Sequence, residues 1–283
     1  MKIISIDNKK YPKQLRKITN PPQKIYVLGN EEILENKGIA IVGSRAYTEY
    51  GEKYATKFSK ELAKQGLTII SGMALGIDTF SHQGALSVGG KTVAVLGSGF
   101  NYIYPEENNK LFERIILSGG AVISEYEPNI PPNSKRFPER NRIVSGLSEG
   151  VLVIEAVHRS GTSITAKLAK EQGKIVFCIP SNLGRKNGVG TNNLIKEGAK
   201  LITNVDDILN SLNIKKENIQ MKVAIPSEYI SIYDAIEEEP TNINVICKKL
   251  KTEISQINAS LMLMEIEGYI KALPGNYFEK VIN

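Results

Sequence analysis

Short apolar stretches that alternate with helical patterns are the feature that most constrains the fold of this chain. Each stretch is rich in Ile, Val and Leu, has the length of a strand, and precedes a segment with helical spacing of its apolar residues. This alternation is typical of a doubly wound α/β sheet whose strands are mostly parallel and buried on both faces. We predict strands at Gly38–Val42, Leu67–Ile70, Lys91–Leu96, Ala121–Ile123, Gly150–Ile154 and Lys174–Ile179.

Small residues follow the carboxyl ends of several of these predicted strands. In an open α/β sheet, ligands bind in the crevice outside those ends. Glycine and serine turns there bring backbone N–H groups and hydroxyls close to an anion. The simpler alternative is that these small residues are there only to form the turns. Their repetition at several strand ends favours a wide, shallow surface of N–H and hydroxyl donors. The turns are Gly43-Ser44, Ser71-Gly72, Gly97-Ser98-Gly99 and Ser160-Gly161-Thr162.

The first of these turns carries an arginine, in the sequence Gly43-Ser44-Arg45. A helix beginning near Thr48 would point its positive end at the same place, so the turn is either a phosphate cup or a βα turn with a surface arginine. A dinucleotide fingerprint is not met, because Arg45 replaces its second glycine and the next strand closes on Ser71 instead of an acidic residue. The chain also lacks a Walker A sequence.

A basic segment with an aromatic residue lies at Ser134–Arg142, which we interpret as a loop. Basic residues interleaved with an aromatic ring suit a single-stranded nucleic acid, since the charges follow the phosphates and the ring stacks on a base. Two alternatives remain open: a solvated charged loop, and an inward-turned Arg140 or Arg142 that pairs with Glu125 or Glu155. The residues concerned are Lys135, Arg136, Phe137, Arg140, Asn141 and Arg142.

Catalytic and metal-binding patterns are not recognisable. The two histidines, His82 and His158, have no nucleophile arrangement around them. His82 follows Asp78 by one helical turn, and we interpret this spacing as a structural pair, with Asp78 capping the helix. Glu125 and Glu155 end strands, where we expect them to pair with arginines. We therefore expect no catalytic residue, no metal and no cofactor.

Charge divides the chain into two parts. Residues 1–224 hold 31 basic and 21 acidic residues, whereas residues 225–283 hold 5 and 9. The basic part is the candidate for a polyanionic partner. Two cysteines, Cys178 and Cys247, indicate a reducing compartment, and neither a leader peptide nor a membrane span is expected.

We divide the chain into four segments. Residues 1–37 are expected to be an N-terminal extension packing on the core, with an edge strand at Ile25–Leu28, and residues 38–210 an extended Rossmann-like domain. Residues 211–226 are interpreted as a linker. Residues 227–283 show three helices and a hairpin, the pattern of a winged helix. Its third helix, Glu253–Glu267, has no Lys or Arg, so we expect this module to dock protein or pack on its own chain instead of reading duplex DNA.

Taken together, the motifs resemble those of the family of DNA-processing proteins called DprA or Smf. The order is Ile41-Val-Gly-Ser-Arg45, Ser71-Gly-Met-Ala-Leu-Gly-Ile-Asp78, His82-Gln-Gly-Ala-Leu86, Phe137-Pro-Glu-Arg-Asn-Arg142 and Ser160-Gly-Thr-Ser-Ile-Thr-Ala166. The resemblance implies a non-enzymatic, cytoplasmic, homodimeric protein that binds single-stranded DNA during natural transformation, protects it and helps to load the RecA recombinase.

The family's DNA pocket uses the turn at Gly43, Ser44 and Arg45, together with basic residues on neighbouring loops, for which Lys135 and Arg136 are the candidates. The full predicted nucleic-acid site is Gly43, Ser44, Arg45, Ser71, Gly72, Gly97, Lys135, Arg136, Phe137, Arg140, Asn141, Arg142, Ser160 and Gly161.

An enzyme on a similar sheet is the alternative, namely a nucleotide phosphoribohydrolase of the LOG type. Such enzymes need Pro-Gly-Gly-x-Gly-Thr-x-x-Glu at a strand end. Alignment on Gly161-Thr162 places His158 and Arg159 at the double glycine and Thr165 at the glutamate. The departures argue against this reaction.

Overall fold

A nine-stranded, mostly parallel sheet forms the larger part of the computed structural model. The structure describes residues 1–157, 160–216, 225–237 and 239–280. The sheet strands are β1 Lys2–Ser5, β2 Lys24–Gly29, β3 Gly38–Val42, β4 Thr68–Ser71, β5 Thr92–Leu96, β6 Ala121–Ser124, β7 Gly150–Val153, β8 Ile175–Cys178 and β9 Lys200–Leu201. Their spatial order is β1-β2-β6-β5-β4-β3-β7-β8-β9, which confirms the doubly wound α/β prediction.

Helices connect the strands and cover both faces of the sheet. They are α1 Lys13–Arg16, α2 Glu49–Lys64, α3 Ile77–Leu86, α4 Asn109–Leu117, α5 Arg136–Gly146, α6 Gly161–Glu171, α7 Val189–Lys196 and α8 Val205–Ser211. Alternate residues of β5 enter different apolar clusters. Val93 and Val95 pack with residues of α5 and α6, and Ala94 and Leu96 pack with residues of α3 and α4. Burial on both faces explains why these strands are continuous apolar runs.

The topological switch point lies between β3 and β7. From β3 the chain continues outward to β4, β5 and β6 in parallel, and β7 then returns to pair with the opposite edge of β3. A crevice opens at the carboxyl ends of two strands where the winding direction reverses in this way. The sequence Gly43-Ser44-Arg45 follows β3, so the fold places it at that crevice.

The first 37 residues extend the sheet. Strand β2 pairs antiparallel with β6, and β1 pairs antiparallel with β2 on its outer side. The predicted strand at Ile25–Leu28 is therefore confirmed as part of β2, but its predicted place at the edge was wrong, because β1 is the edge. Tyr11, which is fully buried, donates from its hydroxyl to the backbone oxygen of Pro22 at 2.8 Å and ties the connection between the two strands to the core.

A second compact unit contains most of the remaining residues. Its elements are α9 Ser227–Ala235, β10 Thr241–Asn242, α10 Ile243–Leu250, α11 Ile254–Ile266, β11 Ile270–Leu273 and β12 Tyr277–Lys280. The three helices and the antiparallel β11–β12 hairpin confirm the predicted winged helix. Residues 217–224, which include part of the proposed linker, lie outside the described residues.

Two further sequence expectations concern membranes and cysteines. Among the described residues, none of the helices combines the length and apolarity needed to span a bilayer. Cys178 and Cys247 are both free and buried, and burial raises the pKa of the Cys178 thiol to about 12.

Candidate functional site

A groove of about 950 Å³ opens at the carboxyl ends of the strands, at the switch point. It brings together many of the residues that the sequence predicts for a nucleic-acid site. These are Gly43, Ser44, Arg45, Gly72, Phe137, Arg140, Asn141, Ser160 and Gly161. We call the exposed side chains of Arg45 and Tyr104, together with the half-buried Phe137, the wall of the groove. We call the buried network of Gly72, Asp78 and Arg140 its floor.

The turn after β3 is fixed by close packing against the start of α3. A Cβ atom at Gly43 would lie 2.5 Å from Cγ1 of Ile77, so only glycine permits this approach. The backbone N–H of Ile77 donates to the oxygen of Ser44 at 3.3 Å. Gly76, at φ +78°, lies directly against the backbone of Ser44 and Arg45. The turn therefore holds Arg45 outward, where its side chain is exposed.

The wall combines a cation with aromatic rings. The guanidinium carbon of Arg45 lies 5.5 Å from the centroid of the Phe137 ring, within the range of a cation–π contact. The Tyr104 ring lies 5.6 Å from that of Phe137, and the two planes are inclined by only 30°. Tyr104 is 49% exposed, so its ring offers a surface on which a planar group can stack.

The floor is a hydrogen-bonded network around the peptide of Gly72. Arg140 donates from Nη1 to the oxygen of Gly72 at 2.5 Å and also to the oxygen of Val95. The Asp78 carboxylate accepts from the N–H of Gly72 at 3.1 Å and of Ala74 at 3.3 Å. Asp78 therefore binds the preceding loop. The expectation that it caps its own helix was wrong.

Burial dominates the ionisation of the floor. Arg140 is only 4% exposed, and desolvation lowers the pKa of its guanidinium to about 10, which still leaves it charged at neutral pH. Desolvation likewise raises the pKa of Asp78, against the lowering effect of Arg140 and the backbone amides. Arg140 thus lies beneath the groove surface with its Nη1 atom bound to carbonyl oxygens, and it supports the loop of Gly72.

The segment predicted as a loop at Ser134–Arg142 belongs mostly to helix α5, so that prediction was wrong. Pro138 lies in the first turn, where its missing N–H has no helical partner to lose. The helical period then sorts the side chains. Phe137, Asn141 and Val144, at i, i+4 and i+7, line the groove.

The other cations of this segment point elsewhere. Arg136 lies over the Tyr126 ring at 5.1 Å and donates to the oxygen of Pro131. Arg142 is the arginine that pairs with Glu125: its Nη1 lies 2.9 Å from Oε2 of Glu125, and its Nε donates to the oxygen of Asn20 at 2.9 Å. Lys135 is exposed. Lys135, Arg136 and Arg142 are not among the residues that line the groove.

Ser71 and Gly97 lie below the groove surface. The buried hydroxyl of Ser71 donates to the oxygen of Ile41 at 2.7 Å, which joins β4 to β3. Gly97 lies against the Phe137 ring, since a Cβ there would be 2.7 Å from Cδ1. Both residues therefore support groove elements without lining the groove.

Ser160 and Gly161 begin helix α6 at the groove. Ser160 caps the helix by accepting from the N–H of Ser163 at 3.4 Å. Among the described residues, leaving aside Gly161's chain neighbours and its own helix backbone, no atom lies within 4 Å of the position that a Cβ at Gly161 would take. The side chain of Asn141 donates to the oxygen of Gly161 at 3.4 Å. The positive end of α6 is thereby directed at the groove.

His82 is a buried neutral histidine, and its predicted pairing with Asp78 was wrong. Its Nδ1 lies 2.6 Å from Oγ1 of Thr92, and that hydroxyl donates its only proton to the oxygen of Ile69 at 2.7 Å. Nδ1 must therefore carry the proton and donate it. Burial, with Arg140 nearby, lowers the pKa of His82 to about 3. His158, the other histidine, lies outside the described residues, as does Arg159.

Glu155 is a buried carboxylate that accepts hydrogen bonds from Thr48, and within the described residues it pairs with no arginine. Its Oε2 lies 3.1 Å from the N–H of Thr48, and its Oε1 accepts from the Thr48 hydroxyl. Asn187 donates to the same carboxylate at 3.5 Å and to the oxygen of Ala46. Glu155 therefore fixes the entrance to α2 and the loop that carries Asn187.

Sequence reasoning missed Tyr104, Lys186 and Asn187, which also line the groove. Lys186 is exposed and adds a second solvent-facing cation beside Arg45. Its signal was present, because the basic pair Arg185-Lys186 lies between Gly184 and Gly188 in the loop after β8, next to a strand at the switch point. Tyr104 belongs to Tyr104-Pro105, one of the motifs that carry the family resemblance, but only the fold brings its ring to Phe137.

Comparisons with known proteins place this geometry in a family. The family model described as DNA recombination-mediator protein A matches residues 2–213, and the one described as DprA winged helix domain matches residues 224–276. Protein Smf of Escherichia coli is 38% identical over 287 residues, covering 97% of this chain and 76% of that protein. The DNA processing protein DprA of Streptococcus pneumoniae is 43% identical over 199 residues, covering 70% of each chain.

Two solved structures are also similar. The X-ray structure of DprA from Streptococcus pneumoniae has a TM-score of 0.70 and 42% identity, covering 74% of this chain and 73% of that chain. DNA processing protein A of Helicobacter pylori has a TM-score of 0.67 and 32% identity, covering 75% and 96%. That structure is described as giving insight into a single-stranded DNA binding mode.

Proposed function

The chain belongs to the DprA/Smf family of DNA-processing proteins, and we propose on that premise that it binds single-stranded DNA in the groove at the switch point. The binding would protect the strand and help to load the RecA recombinase during natural transformation and recombination. We further propose that the protein does this as a cytoplasmic homodimer and without catalysing a reaction. The Helicobacter pylori relative, whose single-stranded DNA binding mode has been described, supports the choice of single-stranded DNA as the ligand.

The observation that carries the proposal is the wall, where Arg45 lies over Phe137 beside the exposed Tyr104 ring. A single strand exposes both a phosphate chain and unpaired bases. Arg45 provides charge for a phosphate, and Tyr104 provides a face for a base. Lys186, which also lines the groove, adds a second exposed charge. The carboxylate of the lining residue Asp78 is buried and bound by backbone amides, so it does not oppose the phosphates at the surface.

Binding without bond cleavage agrees with the chemistry of Thr165, which lines the groove, and of the buried His82. His82 is neutral, and its Nδ1 proton is committed to Thr92. Thr165 stands where a phosphoribohydrolase would place its glutamate, and its hydroxyl donates to the oxygen of Gly161 at 3.3 Å. A hydroxyl so bound is a poor substitute for a catalytic carboxylate. Ribose phosphate release from nucleoside monophosphates would nevertheless identify the enzyme alternative.

Fluorescence anisotropy with labelled oligothymidine tests the proposed site. We expect Arg45→Ala to weaken binding by at least about tenfold, which corresponds to about 1.4 kcal/mol. The matched control is Arg16→Ala, because Arg16 is also exposed and also lies over an aromatic ring, that of Tyr11, at 5.7 Å, but does not line the groove. Equal affinity of the two variants for oligothymidine would remove Arg45 from the site.

Salt titration tests the electrostatic part of the same proposal. The logarithm of the binding constant should fall by about 0.7 for each log unit of salt and each phosphate neutralised. Arg45→Ala should reduce that slope by the contribution of one phosphate, whereas Arg16→Ala should leave it unchanged. A slope that does not depend on Arg45 would indicate that this residue contacts no phosphate.

RecA loading and dimerisation need separate measurements. We expect the protein to accelerate assembly of RecA on oligothymidine, and Arg45→Ala to lose that effect in proportion to its loss of strand binding. Sedimentation velocity should give the mass of a dimer for the unaltered protein and for Arg45→Ala, because Arg45 lies at the groove. A monomer that still binds oligothymidine would reject the homodimer alone.

A further inference from the structure

Helix α11 of the winged-helix unit has two apolar stripes on opposite faces. Ile257, Leu261 and Met264 form the buried stripe and pack into the core of the unit. Met262, Leu263 and Ile266 form a second stripe, in which they are 65%, 47% and 72% exposed. An amphipathic surface helix needs only one apolar face, so the second requires another explanation.

The second stripe is continuous along the helix. Ala259, Met262, Leu263 and Ile266 stand at i, i+3, i+4 and i+7, the spacing of one helical face. Exposed apolar side chains scattered singly are ordinary, whereas several on one face mark an interaction surface. Met262 adds an unbranched, polarisable side chain that adapts to the shape of a partner.

Acidic residues flank this stripe on both sides. At about 100° per residue, Glu265 lies roughly 60° from Met262 on one side, and Glu267 lies roughly 40° beyond Leu263 on the other. Glu265 is held in position by the N–H of Ala272, which donates to its Oε1 at 3.0 Å. Residues 254–266 contain no Lys or Arg. The surface is therefore apolar at its centre and negative at its margins.

We propose that this second stripe is the docking site for a partner protein that presents an amphipathic helix with lysine or arginine beside its apolar face. Helix-in-groove recognition uses anchors at i, i+3, i+4 and i+7, and complementary charges set register and partner choice. Duplex DNA does not fit, because the stripe has no cation to meet phosphates. A second copy fits poorly, since self-pairing would bring the acidic margins of two helices together. The proposal is independent of the strand-binding site.

The full chain can be tested with a designed peptide of leucine and lysine in which the leucines share one helical face. We expect it to bind, and the variant Met262→Gln/Ile266→Gln to bind it at least about tenfold more weakly. Both positions are exposed, so the substitutions should leave folding intact, which circular dichroism checks. Ile230→Gln is the matched control, because Ile230 is an exposed apolar residue on α9 and should retain peptide binding.

Two further peptides and one further measurement separate the possible occupants. A scrambled peptide of the same composition and an amphipathic peptide with glutamate in place of lysine should both bind more weakly. Equal binding of any of these peptides, or no binding of the leucine–lysine peptide to the unaltered chain, would overturn the proposal. If Met262→Gln/Ile266→Gln lowered the mass in sedimentation velocity and Ile230→Gln did not, the stripe would instead be a contact between two copies of this chain. Binding of oligothymidine should be the same for all variants.

Discussion

The wall and the floor of the groove each carry one arginine, and the two residues do different work. Arg45 is exposed and lies over Phe137, so its charge is available to a ligand. Arg140 is buried, and its Nη1 binds the oxygens of Gly72 and Val95. The same type of side chain thus offers a ligand contact at the wall, as Arg45, and joins parts of the backbone at the floor, as Arg140. Basic residues near a site should therefore be sorted by burial before binding is assigned to them.

The largest expected effect comes from Arg140→Met, which keeps the volume of the side chain but removes the donors. Asp78 would lose its nearby compensating charge, and the oxygens of Gly72 and Val95 would lose their partner. Breaking such a buried charge network costs about 3–5 kcal/mol. Denaturant unfolding should show this loss, whereas Arg45→Met should change stability by less than about 0.5 kcal/mol. Similar unfolding of both variants would erase the distinction between wall and floor.

Gly72→Ala tests the floor from the backbone side. The added methyl would lie 2.7 Å from Nη2 of Arg140 and 2.7 Å from Oδ2 of Asp78, so both side chains would have to move. Overpacking of this kind costs about 1–3 kcal/mol. The control is Gly161→Ala, where the methyl would meet no atom within 4 Å in the described part of the chain beyond its neighbours and its own helix backbone. Gly72→Ala should melt at a lower temperature than Gly161→Ala. Equal melting temperatures would show that Arg140 and Asp78 move aside without a measurable loss of stability.

The buried His82 should also make stability depend on pH. The pKa of His82 is about 3 in the folded chain, below its ordinary value of 6.5. As pH falls below 6.5, the unfolded state takes up a proton that the folded state does not, so stability decreases by up to about 1.4 kcal/mol per pH unit.

The variant His82→Asn isolates this contribution, since it lacks the titrating group. Its deficit in unfolding free energy relative to the unaltered chain should shrink as pH falls from 7 towards 5. The raised pKa of Asp78 acts in the opposite direction, but it is present in both proteins and cancels in the difference. Parallel pH profiles would show that His82 is not held neutral.

The smallest expected effect belongs to the wall. Phe137→Leu keeps an apolar side chain beside Gly97 but removes the ring under Arg45 and beside Tyr104. Loss of the cation–π contact should reduce oligothymidine affinity by about 0.5–1 kcal/mol. Anisotropy at one salt concentration is sufficient to detect it. A reduction as large as that of Arg45→Ala would mean that the ring, and not the cation, dominates the wall.

The sequence predicted the sheet well because each parallel strand carries its own local signal. Strands buried on both faces must be continuous apolar runs, and these runs were recognisable one by one. The position of β2 was not predictable in this way, because its partner β6 is distant in sequence and antiparallel to it. Local patterns carry no information about which distant strand arrives at an edge.

The site was only partly predictable for a similar reason. Turns such as Gly43-Ser44-Arg45 follow strands directly, so the topology alone brings them to the rim. Which side chains of the basic segment line the groove could be predicted only once its helix was known. The helical period places Phe137 and Asn141 at the groove and Arg136 and Arg142 away from it. The spacing of Asp78 and His82 indicated a contact between them, but other segments of the same chain take its place. Thr92 of β5 contacts His82, and amides of the loop after β4 contact Asp78.

The place of β2 in the sheet has a consequence for synthesis on the ribosome. Tyr26 of β2 pairs with Ser124 of β6, so β2 must wait for roughly 100 further residues before its second edge is closed. At about 5–20 residues per second, this wait lasts roughly 5–20 seconds. During that interval, the hairpin of β1 and β2 exposes one row of unpaired backbone groups. Strand β2 therefore completes its pairing late, and until then its free edge is open to chaperones or to mispairing.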